Sequence, residues 1–133
     1  MNSNLQKIKV VAGIVFYEKK ILITKRPLNV HMGGKWEFPG GKVEKDESDS
    51  EALRRELNEE LSIDVIVNKL LLETKHTYQN FEVDLFFYEC HVSSNKVSNN
   101  FVLEHKWIFP LELKNYSFPP ANKKIKSLIL ESC

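Results

Sequence analysis

Apolar and polar positions along the chain follow two kinds of repeat. β-Branched and aliphatic residues run from Ile8 to Tyr17 and again from Ile21 to Lys25, separated by Glu18-Lys19-Lys20, which predicts two strands joined as a hairpin. Further strands are predicted over about Asp64 to Tyr78, with room for an interruption, over Phe81 to Val92, and near Trp107 to Phe109. A helical period takes over in between, where Leu53, Leu57 and Leu61 form an i, i+4, i+8 stripe suited to burial against a sheet. Ser48 followed three residues later by Glu51 has capping-box spacing, so this helix is predicted to start near Asp49. A second helix is predicted over Asn122 to Leu130 from Ile125, Leu128 and Ile129, just after Pro119-Pro120. The glycine-rich stretch from Leu28 to Lys35 and the polar stretch from Ser93 to Asn100 read as loops. Strands with one helix in the middle and another at the end suggest a mixed sheet between helical layers. The 133 residues fit one domain, 1–133, able to bury about two-thirds of its unfolded surface.

The first helix carries carboxylates where helix stability does not want them. At about 100° per residue, Glu56, Glu59 and Glu60 fall within roughly one 100° arc. Like charges at these spacings repel by a few tenths of a kcal/mol per pair, and Glu59 and Glu60 also lie near the negative end of the helix dipole. A hard divalent cation reverses that balance, because Mg²⁺ takes oxygen ligands from a few carboxylates together with substrate phosphates. The plainer alternative is a solvated acidic face laced with pairs such as Arg55 with Glu59.

Composition narrows the partners. A net charge of +1 gives no bulk attraction to a nucleic acid polymer or a membrane, so an anionic ligand needs a local site. Hydrophobic content of 42% and mean hydropathy of -0.33 are ordinary for a globular protein. No apolar run approaches the roughly 20 residues that span a bilayer. Cys90 and Cys133 lack CxxC spacing and the N-terminus lacks the apolar core of a signal peptide, so reduced thiols in the cytoplasm are expected. His31, His76, His91 and His105 are scattered without zinc-ligand spacing, which favours surface or core roles.

The wider spacing around the acidic helix resembles the Nudix box, G-x5-E-x7-R-E-U-x-E-E-x-G-U with U aliphatic. Gly41, Glu47, Arg55, Glu56, Leu57, Glu59, Glu60 and Ile63 match it, and Ser62 alone departs, where the family has Gly. That Gly suits a left-handed C-cap, so Ser62 is expected to affect stability more than chemistry. The resemblance implies an α/β/α sandwich with a mixed sheet and hydrolysis of a nucleotide diphosphate linkage. It also implies Mg²⁺, with Mn²⁺ as an alternative, held by Glu56, Glu59, Glu60 and the backbone carbonyl of Gly40. By the same resemblance Arg55 orients the carboxylates and Glu47 is the supporting acid. A further carboxylate usually comes from a loop before a late strand, where Glu104 is the candidate ligand; it also reads as a surface acid at a strand edge. Either Glu56 or Glu104 could act as general base.

Outside the box, Arg26 and the stretch from His31 to Lys42, together with Phe118-Pro119-Pro120-Ala121-Asn122, resemble the MutT-like 8-oxo-dGTP diphosphatases of that family. The amide of Asn122 offers a donor and an acceptor to an oxidised guanine, although Asn after two prolines is also a good helix N-cap. Arg26, Phe38 and Tyr78 are base-pocket candidates by the same likeness, Phe38 being equally readable as core. The expectation is a monomeric Mg²⁺-dependent nucleoside triphosphate pyrophosphohydrolase that takes 8-oxo-dGTP to 8-oxo-dGMP and pyrophosphate. A related enzyme acting on CTP or modified dCTP is the nearest alternative. A non-catalytic nucleotide-sensing module is another, disfavoured by the intact Arg55-Glu56 and Glu59-Glu60 set.

Overall fold

The expected hairpin forms between β1 (Gln6–Tyr17) and β2 (Lys20–Lys25) in the computed structural model, which describes residues 5–133. Tyr17 faces Lys20, so the turn is only Glu18 and Lys19, both at positive φ (47° and 68°). Such a turn matches the right-handed twist of the strands it joins.

Beyond Phe16 and Ile21 the two strands part. In the gap β1 pairs with β4 (Gly40–Lys42) and β2 with β3 (Trp36–Glu37), while the other edge of β2 pairs with β7 (Glu104–Ile108). The other edge of β1 runs parallel to β6 (Phe81–His91), which is antiparallel to β5 (Ile66–Thr77), giving the order β3-β2-β1-β6-β5. The sheet is therefore mixed, and β5 is one continuous strand with register shifts between Val67 and Leu72 where an interruption was allowed for.

Side chains alternate across a strand, so each strand feeds two cores. Val11, Val15 and Cys90 pack with Leu53, Leu57 and Leu61 of α1 (Asp49–Leu61) on one face. Ile14, Leu85 and Phe87 pack with Leu113 and with Ile125 and Ile129 of α2 (Lys123–Glu131) on the other. The three α1 leucines are fully buried, each contributing about 1.5–3 kcal/mol. This is the α/β/α sandwich that the sequence implied.

The differences lie where strand signals are short. β3 and β4 have two and three residues in a Gly/Pro stretch, too few for an alternating pattern, and both were missed. β7 starts at Glu104 rather than Trp107, and Pro110–Asn115 forms a 3-10 turn that buries Leu113.

The Ser93–Asn100 stretch is more than a surface loop, because it closes the C-terminus of α1. Ser62 is left-handed (φ 55°, ψ 39°) as its position in the box implied, and its N–H donates to the Asn58 carbonyl at 2.9 Å. The Ser98 and Asn100 N–H groups donate to the Leu61 and Glu60 carbonyls, and Asn100 Nδ2 donates to the Glu59 carbonyl (3.0 Å) and to Ser62 Oγ (2.8 Å). Ser62→Gly would relieve about 1 kcal/mol of left-handed strain but lose a hydrogen bond of about the same worth. Its melting temperature should stay within about 2 °C of wild type, whereas Asn100→Ala should lower it by about 3–8 °C. A large rise for Ser62→Gly would mean that the Asn100 bond contributes nothing.

Candidate active site

Helix α1 fixes its acids in direction before anything binds. Ser48 Oγ accepts from the Glu51 N–H at 3.1 Å and Glu51 accepts from the Ser48 N–H at 2.9 Å, so the predicted capping box is formed. With Leu53, Leu57 and Leu61 turned into the sheet, Arg55 and Glu56 sit on a flank that faces β4. A Cβ on Gly41 would land on the Glu56 carboxylate, so only glycine lets that acid lie against the strand.

Arg55 organises the flank. Its Nε and Nη2 hold both oxygens of Glu47 at 2.6 and 3.0 Å, in the fork geometry that guanidinium and carboxylate share. Nη1 reaches Glu56 Oε1 at 3.0 Å and Glu59 Oε2 at 3.5 Å, and Nη2 also donates to the Lys42 carbonyl at 3.1 Å. The Arg55 bond, with help from the Glu44 N–H, lowers the Glu47 pKa to about 2, and Glu47 in turn keeps Arg55 more firmly protonated.

Glu56 and Glu60 form the other half. Burial first, and then the Glu56 carboxyl beside it, push the Glu60 pKa up to about 9. Neighbouring carboxyl groups at a cavity are hard oxygen donors of the kind that suit a divalent metal. Glu56 and Glu60 would hold such an ion beside the Gly40 backbone, which lines the same cavity as Glu60. Glu59 is 55% exposed and drawn toward Arg55, and among the described residues no three acidic, His or Cys side chains converge as a ready-made metal cage.

The cavity, about 470 Å³, opens where β1 and β2 part. Phe38, Phe87 and Asn122 line it on the α2 side, and Arg26, Glu37 and Glu60 also line it. Phe38 is both core and wall, 3% exposed and packed at 5.1 Å on Phe118. Asn122 precedes α2 but makes no capping bond, so its buried amide is left facing the cavity. Tyr78 stacks on Phe81 at 4.9 Å and meets the edge of His31 at 4.8 Å. Arg26 is tied by Nε to the His31 carbonyl (2.8 Å) and by Nη1 to Glu37 (2.9 Å). Burial raises the Glu37 pKa against the pull of Arg26.

Sequence reasoning does not single out Glu37, His31 or Phe81, which are among the residues lining the cavity. Glu37 and His31 do lie in the stretch from His31 to Lys42 that carries the resemblance, whereas Phe81 reads only as the start of a strand.

Glu104 is not brought to the α1 acids. It opens β7 opposite Lys25, which also faces Trp36, and residues directly opposite in an antiparallel pair share a face. Lys25 and Lys106 lie over the Trp36 ring at 5.7 and 5.4 Å, and Ile108, two further along, belongs to the α2 core. The register therefore turns Glu104 to the α2 face of the sheet, and it is not among the cavity-lining residues.

The fold is thus a mixed sheet between helices, with neighbouring acids of α1 beside a cavity at a split in the sheet. The comparisons agree: the NUDIX domain pattern matches residues 10–128, and the chain belongs to the Nudix family of hydrolases, which generally use a divalent metal. An 8-oxo-dGTP diphosphatase of Proteus vulgaris is 42% identical over 84 residues, covering 62% of this chain and 75% of the relative. A CTP pyrophosphohydrolase of Escherichia coli is 34% identical over 121 residues, covering 89% and 87%. The solution structure of the E. coli ORF135 protein superposes with a TM-score of 0.81 at 32% identity, covering 96% of this chain and 91% of that one.

Opposite pKa shifts give opposite pH dependences. Glu47, lowered to about 2, adds stability above its ordinary pKa of 4.5 that is lost as pH falls through 2. Glu60, raised to about 9, adds stability below 4.5 that is lost as pH rises through 9. Glu60→Gln keeps the neutral, hydrogen-bonding form at every pH. In metal-free buffer at pH 9 it should melt above wild type, and it should gain less on adding Mg²⁺. A variant melting no higher than wild type there would mean that Glu60 ionises freely.

Proposed function

We propose that this chain is a Mg²⁺-dependent nucleoside triphosphate pyrophosphohydrolase that converts 8-oxo-dGTP to 8-oxo-dGMP and pyrophosphate. The observation that carries the substrate reading is Asn122: a buried amide with no capping bond, facing an aromatic-walled cavity that continues to Glu60. An amide there can donate and accept at once along a base edge, and a site built on such contacts rejects bases lacking them far better than an apolar pocket does. Likeness to the Proteus vulgaris 8-oxo-dGTP diphosphatase points the same way. Such an enzyme would work as a monomer in the cytoplasm, cleansing the nucleotide pool ahead of DNA replication, without contacting the polymer.

In this reading the base lies between Phe38 and Asn122, with Tyr78 near the entrance and Arg26 toward the phosphates. Glu56, Glu59, Glu60 and the Gly40 carbonyl are the metal ligands, Glu59 turning from Arg55 to join them. Bound Mg²⁺, or Mn²⁺ in its place, supplies charge neutralisation of the phosphate oxygens and lowers the barrier to attack. Water adds to the β-phosphorus, the bond from that phosphorus to the α,β-bridging oxygen breaks, and the bridging oxygen leaves with the nucleoside monophosphate. Glu56 takes the proton from the water; the β7 register supports it over Glu104 as base. Arg55 and Glu47 hold Glu56 in place.

The relative acting on CTP favours a second reading, CTP or modified dCTP, because the Asn122 amide can also pair with a cytosine edge. Turnover of 8-oxo-dGTP, dGTP and CTP at micromolar concentration separates the two. Glu56→Gln should lower kcat by about 10³-fold or more under saturating Mg²⁺. Asn122→Ala should raise KM for 8-oxo-dGTP by about 10- to 100-fold, and because no cap bond is lost its melting temperature should change little. Equal KM values for the oxidised and normal guanine nucleotides in wild type would refute the substrate assignment.

A further inference from the structure

Glu37 is an acid in a cavity read as a site for polyanions, close enough to Glu60 to disfavour its ionisation. Glu37 is largely buried in its ion pair with Arg26, and its charge would repel a bound phosphate chain. What it does achieve is geometric. Arg26 has five N–H groups in one plane, and two are committed on adjoining edges, Nε to the His31 carbonyl at 2.8 Å and Nη1 to Glu37 Oε1 at 2.9 Å. The Arg26 backbone is fixed as well, its N–H donating to the Lys35 carbonyl (2.9 Å) and its carbonyl accepting from the Gly34 N–H (3.0 Å). With Nε and Nη1 held, the plane of the guanidinium is set, and Nη2 has no hydrogen-bond partner among the described residues. Arg26 and Glu37 both line the cavity that also meets Asn122 and Glu60.

We propose that Glu37 is a positioning residue: it locks the Arg26 guanidinium so that its free Nη2 edge meets the α-phosphate, between the base pocket and the acids of α1. If the base lies by Asn122 and the β- and γ-phosphates by Glu60, as in the reading on which this inference rests, the α-phosphate falls at that junction. Glu37 thus acts through Arg26 and touches no reacting atom. The carboxylate serves because it accepts strongly from Nη1 and cannot itself bond a phosphate oxygen, which leaves Arg26 as the sole contact of the pair with the anion.

The test compares binding of nucleoside and nucleoside monophosphate, for 8-oxo-dGMP and CMP and their nucleosides, by calorimetry on the full chain. Glu37→Ala should weaken monophosphate binding by about tenfold or more and leave nucleoside binding within about twofold. Glu37→Gln, whose amide oxygen still accepts from Nη1, should restore most of the loss. Arg26→Ala should match Glu37→Ala, and the double variant should be no worse than Arg26→Ala alone. Equal losses for nucleoside and monophosphate, or single effects that multiply in the double variant, would overturn the proposal. Should wild type prefer CMP, the 8-oxo-dGTP reading falls while the phosphate-dependent losses still decide the role of Glu37.

Discussion

One guanidinium sets the geometry of the acidic flank of α1. Arg55 grips both oxygens of Glu47, reaches Glu56 and Glu59, and ties the group to the Lys42 carbonyl of β4. Without such a cation the acids of α1 would repel one another beside a helix end that is already negative. With it, Glu56 is pinned against Gly41, and the buried Glu60 beside it is pushed toward its neutral form. The two ends of the flank carry opposed shifts, Glu47 driven down by Arg55 and Glu60 driven up by burial.

The sheet completes what the helix begins. Because β1 and β2 stay together only near their turn, β4 and β3 can fill the two edges of the gap, and the cavity runs between the helical layers. A ligand lying there can meet aromatic walls and the Asn122 amide at one end and the acids of α1 at the other. Nucleotide hydrolysis needs that combination, since base selection and phosphate chemistry lie several bonds apart on one molecule. Arg26, anchored by Glu37 and the His31 carbonyl, lines the same cavity.

Much of this was legible in the chain. Helix α1 announced itself three ways, through the Ser48/Glu51 cap, the leucine stripe and the spacing of Arg55, Glu56, Glu59 and Glu60, and each is a local signal that tertiary contacts reinforce. Even the departure at Ser62 was readable, because the left-handed cap is a backbone requirement independent of the side chain. The compensation by Asn100 was not, since it comes from a polar loop 38 residues away. The face taken by Glu104 follows from the register of β7, which pairs it with Lys25 and which its own segment does not encode. Asn122 could be cap or ligand on sequence grounds, and the structure places it at the N-cap of α2 without a side-chain cap bond. Glu37 and His31 depend on how a glycine-rich loop folds back over Arg26, which no periodicity encodes.

The central claim is that the Arg55-ordered acids place a divalent ion at Glu56 and Glu60 beside Gly40. Titrating paramagnetic Mn²⁺ into isotope-labelled protein and following amide resonances tests it directly. The amides of Gly40, Gly41, Glu56 and Glu60 should broaden first, at substoichiometric ion. Broadening that starts at Glu104 or spreads evenly over the surface, with those four amides spared, would contradict the account.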